Sequence, residues 1–311
     1  MTKVLIKELG FKRSSADHSV FYRHTADEHT IMAVAMDDMA VTSKRGTDIQ
    51  RFKTEIKKHW EMNNNGPINW FLGFQIKRDR NSRTISINQH AYIENMLEKF
   101  RLTSAKPVTT PMEPNTQFSI EQSPSTHKQV SQMQGVPYRE AIRCILWLAV
   151  VSRLDITFAV GILSQFVQNP GPVHWEAVKR VIVYLGTTKN LWLTFGGKSE
   201  TIVEGYCNAD WASQKHRHLI LGYSFHFGQG VISWSSKKQN IIALSSTKAE
   251  YIAQTHAAKE AMWMKKFLDE IHEPIEGLIR VNCDNQGVIA LVKDRKISLA
   301  YKVYRSTLSL C

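Results

Sequence analysis

Asn208-Ala209-Asp210-Trp211-Ala212, Ser245-Ser246-Thr247-Lys248-Ala249-Glu250-Tyr251 and Ile279-Arg280-Val281-Asn282-Cys283-Asp284 follow one another within residues 202–284. The first closes a strand-like run over 201–208. The second opens a helix, its serines suited to cap the orphan amide donors of a first turn. The third is a strand ending in an acid. Further runs at 219–228 and 231–234 read as strands, and 286–292 reads as a short helix. The order βββαβα predicts a mixed α/β unit with an antiparallel first half. Carboxylates at one strand end, in a first helical turn and at another strand end can converge on a divalent cation. Glu250, read in the first turn, lies where amide dipoles favour an anion, and Asp284 ends its strand. Singly, each is an ordinary helix-start or turn acid; the joint spacing points to metal chemistry. Ile252, His256, Lys259 or Glu260, Trp263, Phe267 and Ile271 recur at helical spacing and read as the packed stripe of a helix reaching residue 271.

Outward from this block, residues 138–195 read as helical with several buried aromatics. The apolar run 144–151 is too short to span a bilayer and reads as a buried helix. His174 opens a helix without a second ligand at metal spacing, so capping or packing is its expected role. Pro107, Pro111, Pro114 and Pro124 mark an extended polar linker up to about residue 135. Before it, 19–23 and 30–35 are β-rich, and Met36-Asp37-Asp38-Met39 sits at a hairpin tip between apolar stretches. A helix over 48–62, strands over 70–77 and 84–88, and a helix over 89–100 complete the segment.

The 311 residues suffice for two or three domains with real cores. A formal net charge of +12 favours polyanionic partners, nucleic acid above all. Lys237-Lys238 beside Trp234 form a candidate contact patch, weighed against a plain solvated turn. Cys144, Cys207, Cys283 and Cys311 lack CxxC spacing, which argues against zinc and against a disulfide framework, and points to a reducing, intracellular setting. The N-terminus mixes Lys and Glu and does not read as a signal peptide.

The strings LGFKRSSADHSVFYR, MDDM, INWFLGFQIKRD, HAYIENMLEKF, HWEAVKRVIVYL, GYCNADWAS, GYSFHFGQGVISWSSKKQ, ALSSTKAEYIA and CDNQGVIAL occur in this order. As a set they resemble the C-terminal part of the Pol polyprotein of copia-type retrotransposons, the end of reverse transcriptase followed by RNase H. The resemblance covers the chain to about Lys296. It implies an α/β (α+β) fold divided into palm and thumb at 1–115, a linker at 116–137, a helical connection at 138–197 and an incomplete RNase H-like mixed sheet with helices at 198–296. It makes Asp37 and Asp38 the paired acids of the palm hairpin, and Glu250 and Asp284 nuclease ligands. Asn208 falls where the family has its first nuclease aspartate, with Asp210, of the same strand parity, as a partial substitute. The implied cofactor is Mg2+ or Mn2+. The implied partners are RNA, DNA, RNA–DNA hybrid and other element-encoded proteins, in a cytoplasmic particle or the nucleus and not at a membrane.

Departures from the family shape the functional expectation. The fingers and an earlier palm aspartate have no counterpart in this sequence, so Asp37 and Asp38 lack a third carboxylate. Ala35 stands in place of an aromatic, Arg143 in place of a glycine and Leu154 in place of a proline; Arg143 is costly unless it reaches water. Residues 297–311 do not match the family ending. Permitted codons for this tail, read one base later, encode FHSHTKYIDLRYHF, which does resemble it, so a frameshift near 294–296 is expected. The expected function is therefore a Pol fragment, ancestrally an RNA-directed DNA polymerase and ribonuclease H with two divalent metals, defective here. The alternatives are a non-catalytic nucleic-acid-binding remnant and a decayed reading frame.

Overall fold

The computed structural model describes residues 1–114, 116–197, 202–210, 219–239, 245–275 and 277–293, with side chains to residue 290. Helices and sheets are mixed, as the sequence predicts. The aberrant tail and its proposed frameshift lie outside the described residues.

In the N-terminal part, α1 (Thr2–Lys7) precedes β1 (Lys12–Arg13), β2 (Val20–His24), β3 (His29–Ala35) and β4 (Asp38–Ser43), an antiparallel sheet in chain order. α2 (Gly46–Ile56) packs beside it, and Leu5, Phe11, Phe21, Met32, Phe52 and Ile56 form the core. The helix ends six residues before the expected residue 62, and the following turn brings Trp60 and Met62 against this core. Ala35 pairs with Asp38 across a tight turn, in which Met36 takes a left-handed φ of 52°.

Next come β5 (Trp70–Phe71), β6 (Phe74–Asp79), β7 (Thr84–Asn88) and α3 (His90–Lys99). The proline-rich stretch is not wholly extended: α4 (His127–Met133) forms on a capping box between Thr126 and Gln129, and Phe118 anchors the stretch in the core. α5 (Tyr138–Val151), α6 (Thr157–Leu163) and α7 (Pro172–Thr187) follow. Ile93 and Met96 of α3 share one core with Ile145, Leu148, Val181 and Ile182. The region read as wholly helical ends in a strand, β8 (Leu193–Gly196), which pairs antiparallel with β7. Leu191 and Trp192 lead into it, and four residues of alternating side chains are too short a run to announce a strand. The 144–151 run is only half buried, since Leu146, Trp147 and Val150 are exposed.

Last come β9 (Val203–Asp210), β10 (Ile220–Phe227), β11 (Gly230–Lys238), α8 (Ser246–Glu270), β12 (Arg280–Asn282) and α9 (Gln286–Lys293). The sheet order is β11-β10-β9-β12, antiparallel except for the β9–β12 pair. A parallel neighbour needs a long crossover, which α8 supplies. The stripe that packs on the sheet is Ala249, Ala253, Ala257, Ala261 and Met264, with Ile252 of the row read from the sequence packed beside it. Small side chains let the helix axis approach the strands. Ile271 of that row is buried, whereas Trp263 is 40% exposed and its indole donates to the Ala16 carbonyl at 3.0 Å.

Candidate metal centre

Ile220 pairs with both Asp210 and Lys238, so β9 and β11 finish at the same edge of the sheet. β12 runs parallel to β9 towards the same end, its last residue Asn282 opposite Tyr206. α8 starts a few residues after β11. The ends of β9 and β12 and the start of α8 therefore meet, as strand C-termini do in many α/β sites.

The Ser245 hydroxyl caps α8, accepting from the Lys248 amide at 3.2 Å. The helix begins at Ser246, so Glu250 falls just past the first turn rather than within it, and the dipole has largely decayed there. Burial governs Glu250 instead. The residue is 7% exposed, and burial pushes its carboxyl up. The Ala209 amide, donating from the end of β9, opposes that rise, and the Asp284 charge adds to it. Its second oxygen, Oε2, is buried and, among the described residues, has no hydrogen-bond partner. Glu250, Cys283 and Asp284 each offer one ligand atom within 4.8 Å of the others. An orphaned buried carboxylate oxygen facing a second carboxylate suits a hard divalent cation.

Asn208 and Asp284 line the same open cavity of about 570 Å3, together with Tyr206, Tyr223 and Trp234. Asp210 ends β9 itself, paired with Ile220, rather than lying beyond the strand. It keeps the parity of Asn208 but is not among the groups gathered with Glu250. Asp37 and Asp38 sit exposed at the β3–β4 hairpin, and among the described residues no third metal-binding side chain gathers with them.

Two residues of this centre were not legible as site residues. Cys283 belongs to the ligand group, and Cys207, 6% exposed, hydrogen-bonds to it. Burial first, and then Cys283 and the two carboxylates, push the Cys207 thiol up to about 12. The two cysteines lie far apart in sequence, and only the β9–β12 pairing makes them neighbours. The one available signal was that Cys283 immediately precedes a candidate ligand.

Other expectations resolve locally. His174 is fully buried, accepts from the Gly171 amide at 2.9 Å and stacks on Phe166 at 3.9 Å, a packing and capping residue. Arg143 is exposed, so its charge reaches water. The Trp234 and Lys238 patch is not free: the Trp234 indole donates to the Ala149 carbonyl and Lys238 to Gln165, both at 2.7 Å. Strand alternation puts Lys237 on the opposite face, where it is exposed.

The first 114 residues match the family Reverse transcriptase (RNA-dependent DNA polymerase), so this N-terminal part is of the reverse-transcriptase type. Over 291 residues, 93% of the chain, it is 38% identical to the Retrovirus-related Pol polyprotein from transposon TNT 1-94 of Nicotiana tabacum, covering 22% of that protein. It is 30% identical over 284 residues, 91% of the chain, to the Retrovirus-related Pol polyprotein from transposon RE1 of Arabidopsis thaliana, covering 19% of it. A 133-residue stretch, 42% of the chain, is 45% identical to Secreted RxLR effector protein 161 of Plasmopara viticola, covering 94% of that protein. No solved structure matches the chain. The chain belongs to the copia-type retrotransposon Pol polyproteins. It spans about a fifth of the length of these Pol relatives.

Proposed function

We propose that residues 198–296 form an RNase H-like nuclease acting on the RNA of an RNA–DNA hybrid, and that 1–115 and 138–197 are reverse-transcriptase palm and thumb and a helical connection, joined by the 116–137 linker. The observation that carries this reading is the meeting of Glu250 and Asp284, one Glu250 oxygen buried and unpartnered among the described residues, with Asp284 lining a cavity that it shares with Asn208. Glu250, Asp284 and the neutral side-chain oxygen of Asn208 would hold Mg2+ or Mn2+. Such an ion supplies positive charge at a scissile phosphate and lowers the pKa of a bound water. The protein's part is to fix the two carboxylates: Ala209 orients Glu250 through its amide, and the parallel β9–β12 pairing holds Asp284 opposite. A neutral amide binds a hard cation more weakly than a carboxylate, so the nuclease is weak. Asp37 and Asp38, without a third carboxylate among the described residues, support no efficient polymerisation.

The test is cleavage of a labelled RNA–DNA hybrid. Slow Mg2+-dependent cutting is expected, abolished by Glu250→Gln. Asn208→Asp is expected to raise the rate at least about tenfold, because even outer-shell changes around a bound metal are worth about 10–100-fold. Primer extension by the chain alone is expected to be undetectable. The net charge of +12 favours a second reading, a remnant that only binds. Salt-sensitive hybrid binding without cleavage in either protein would establish it in place of the nuclease.

A further inference from the structure

We propose that this centre is also a site for a thiophilic divalent cation of the zinc class, held by the Cys283 sulfur together with Glu250 and Asp284, and that such an ion excludes magnesium and inhibits the nuclease. The inhibition clause rests on the nuclease reading; the binding clause stands on the donor set alone. That set is mixed. A hard oxygen site has no use for sulfur, yet Cys283 Sγ lies within the same 4.8 Å group as the two carboxylates. Three protein ligands of S, O and O leave one tetrahedral position open, an arrangement that suits zinc. The independent sign of a missing ligand is Glu250: it is only 7% exposed, and Oε2 has no partner among the described residues.

Cys207 adds a second sulfur behind Cys283. It donates towards the Asn282 carbonyl at 3.6 Å and hydrogen-bonds with Cys283, so it supports the Cys283 side chain from within the sheet. The sequence argued against zinc because no two cysteines share a CxxC loop. That argument covers ligands on one loop, whereas here the ligands come from a helix and from the residues following a strand. On binding, the Cys283 S–H bond breaks, the S–metal bond forms and the proton leaves to solvent; no electrons are transferred. Sulfur favours zinc over magnesium strongly, so trace zinc would compete with a large excess of magnesium.

The experiment uses the whole chain, metal-free and reduced, titrated with Co2+ as a spectroscopic substitute for Zn2+. One equivalent is expected to produce a sulfur-to-cobalt charge-transfer band together with the visible bands of tetrahedral cobalt, and Zn2+ is expected to abolish both. Cys283→Ser, its fold checked by circular dichroism, is expected to lose the charge-transfer band. Glu250→Gln is expected to keep the band and to weaken cobalt affinity about tenfold or more. No band in the wild-type chain, or a band kept in Cys283→Ser, overturns the proposal. Where the hybrid is cut, the fold-inhibition by Zn2+, taken against each protein's own magnesium rate, is expected to fall in Cys283→Ser. Where it is not cut, the nuclease reading fails while the cobalt titration still decides the metal site.

Discussion

Glu250 shows how a single side chain can be suited to a ligand and costly without one. Burial raises its carboxyl above the ordinary value of 4.5. For an acid raised on folding, the favourable contribution is present below the unfolded value and is lost as pH rises through the folded value. In metal-free protein, Glu250 ionisation should therefore erode stability as pH climbs from about 4.5. Glu250→Gln is expected to be the more stable protein at neutral pH, and the difference is expected to vanish in acid below about pH 4. Urea unfolding at a series of pH values in chelator measures it, and equal midpoints for the two proteins at neutral pH would contradict the assignment. Asp284 was readable as a strand-end acid. Cys283 was not, because a half-buried thiol has no pattern of its own in sequence.

At the scale of the element, α8 carries the centre by lying close to the sheet. Ala249, Ala253 and Ala257 are at most 1% exposed against β9 and β10. β9 answers with its own small residue: a Cβ at Gly205 would collide with the Phe225 ring. Ala257→Leu has no space to fill and is expected to cost about 1–3 kcal/mol, the usual range for overpacking a tight contact. Thermal or urea unfolding reads that loss, and hybrid cleavage reads any shift of Glu250. A neutral effect would mean the helix stands further from the sheet than described. The sequence correctly gave this helix its cap and its length and placed Ile252 and Ile271 in its packed row, but it missed the alanines that make the closest contact. Hydropathy ranks Trp263 and Phe267 above alanine, whereas packing distance ranks alanine first.

Across the whole molecule, the end of α8 reaches back to the N-terminal sheet. Glu270 accepts from the Ser14 hydroxyl at 2.7 Å, the Ser15 amide at 2.9 Å and the Ala16 amide at 3.2 Å, and also from the Ser15 hydroxyl. His24 stacks on His272 at 4.0 Å, and Glu273 lies 3.1 Å from both His29 and Lys44. The Ser14 and Ser15 hydrogen bonds hold the Glu270 carboxyl down to about 2. For a depressed acid the contribution is complete above the unfolded value of 4.5 and is lost as pH falls through the folded value near 2. The protection of the amides around residues 14–16, taken against their intrinsic exchange rates, is accordingly expected to fall between about pH 4.5 and pH 2. In Glu270→Ala that protection is expected to be low at every pH. Protection in the wild-type protein that ignores this window would show that Glu270 does not hold the contact.

The sequence by itself determined the hairpin of Asp37 and Asp38, the cap of α8, the βββαβα order and the family, because alternation, capping residues and ordered motifs are written locally along the chain. Tertiary structure alone decided that β8 closes the sheet of β5–β7, that α3 shares a core with α5–α7, and that α8 docks on the first sheet. It also decided that Cys207 and Cys283 join Glu250 and Asp284. Those outcomes depend on which distant segments come to lie beside one another. A parallel strand pair can join residues separated by an entire helix, and that proximity leaves no periodic trace in the sequence.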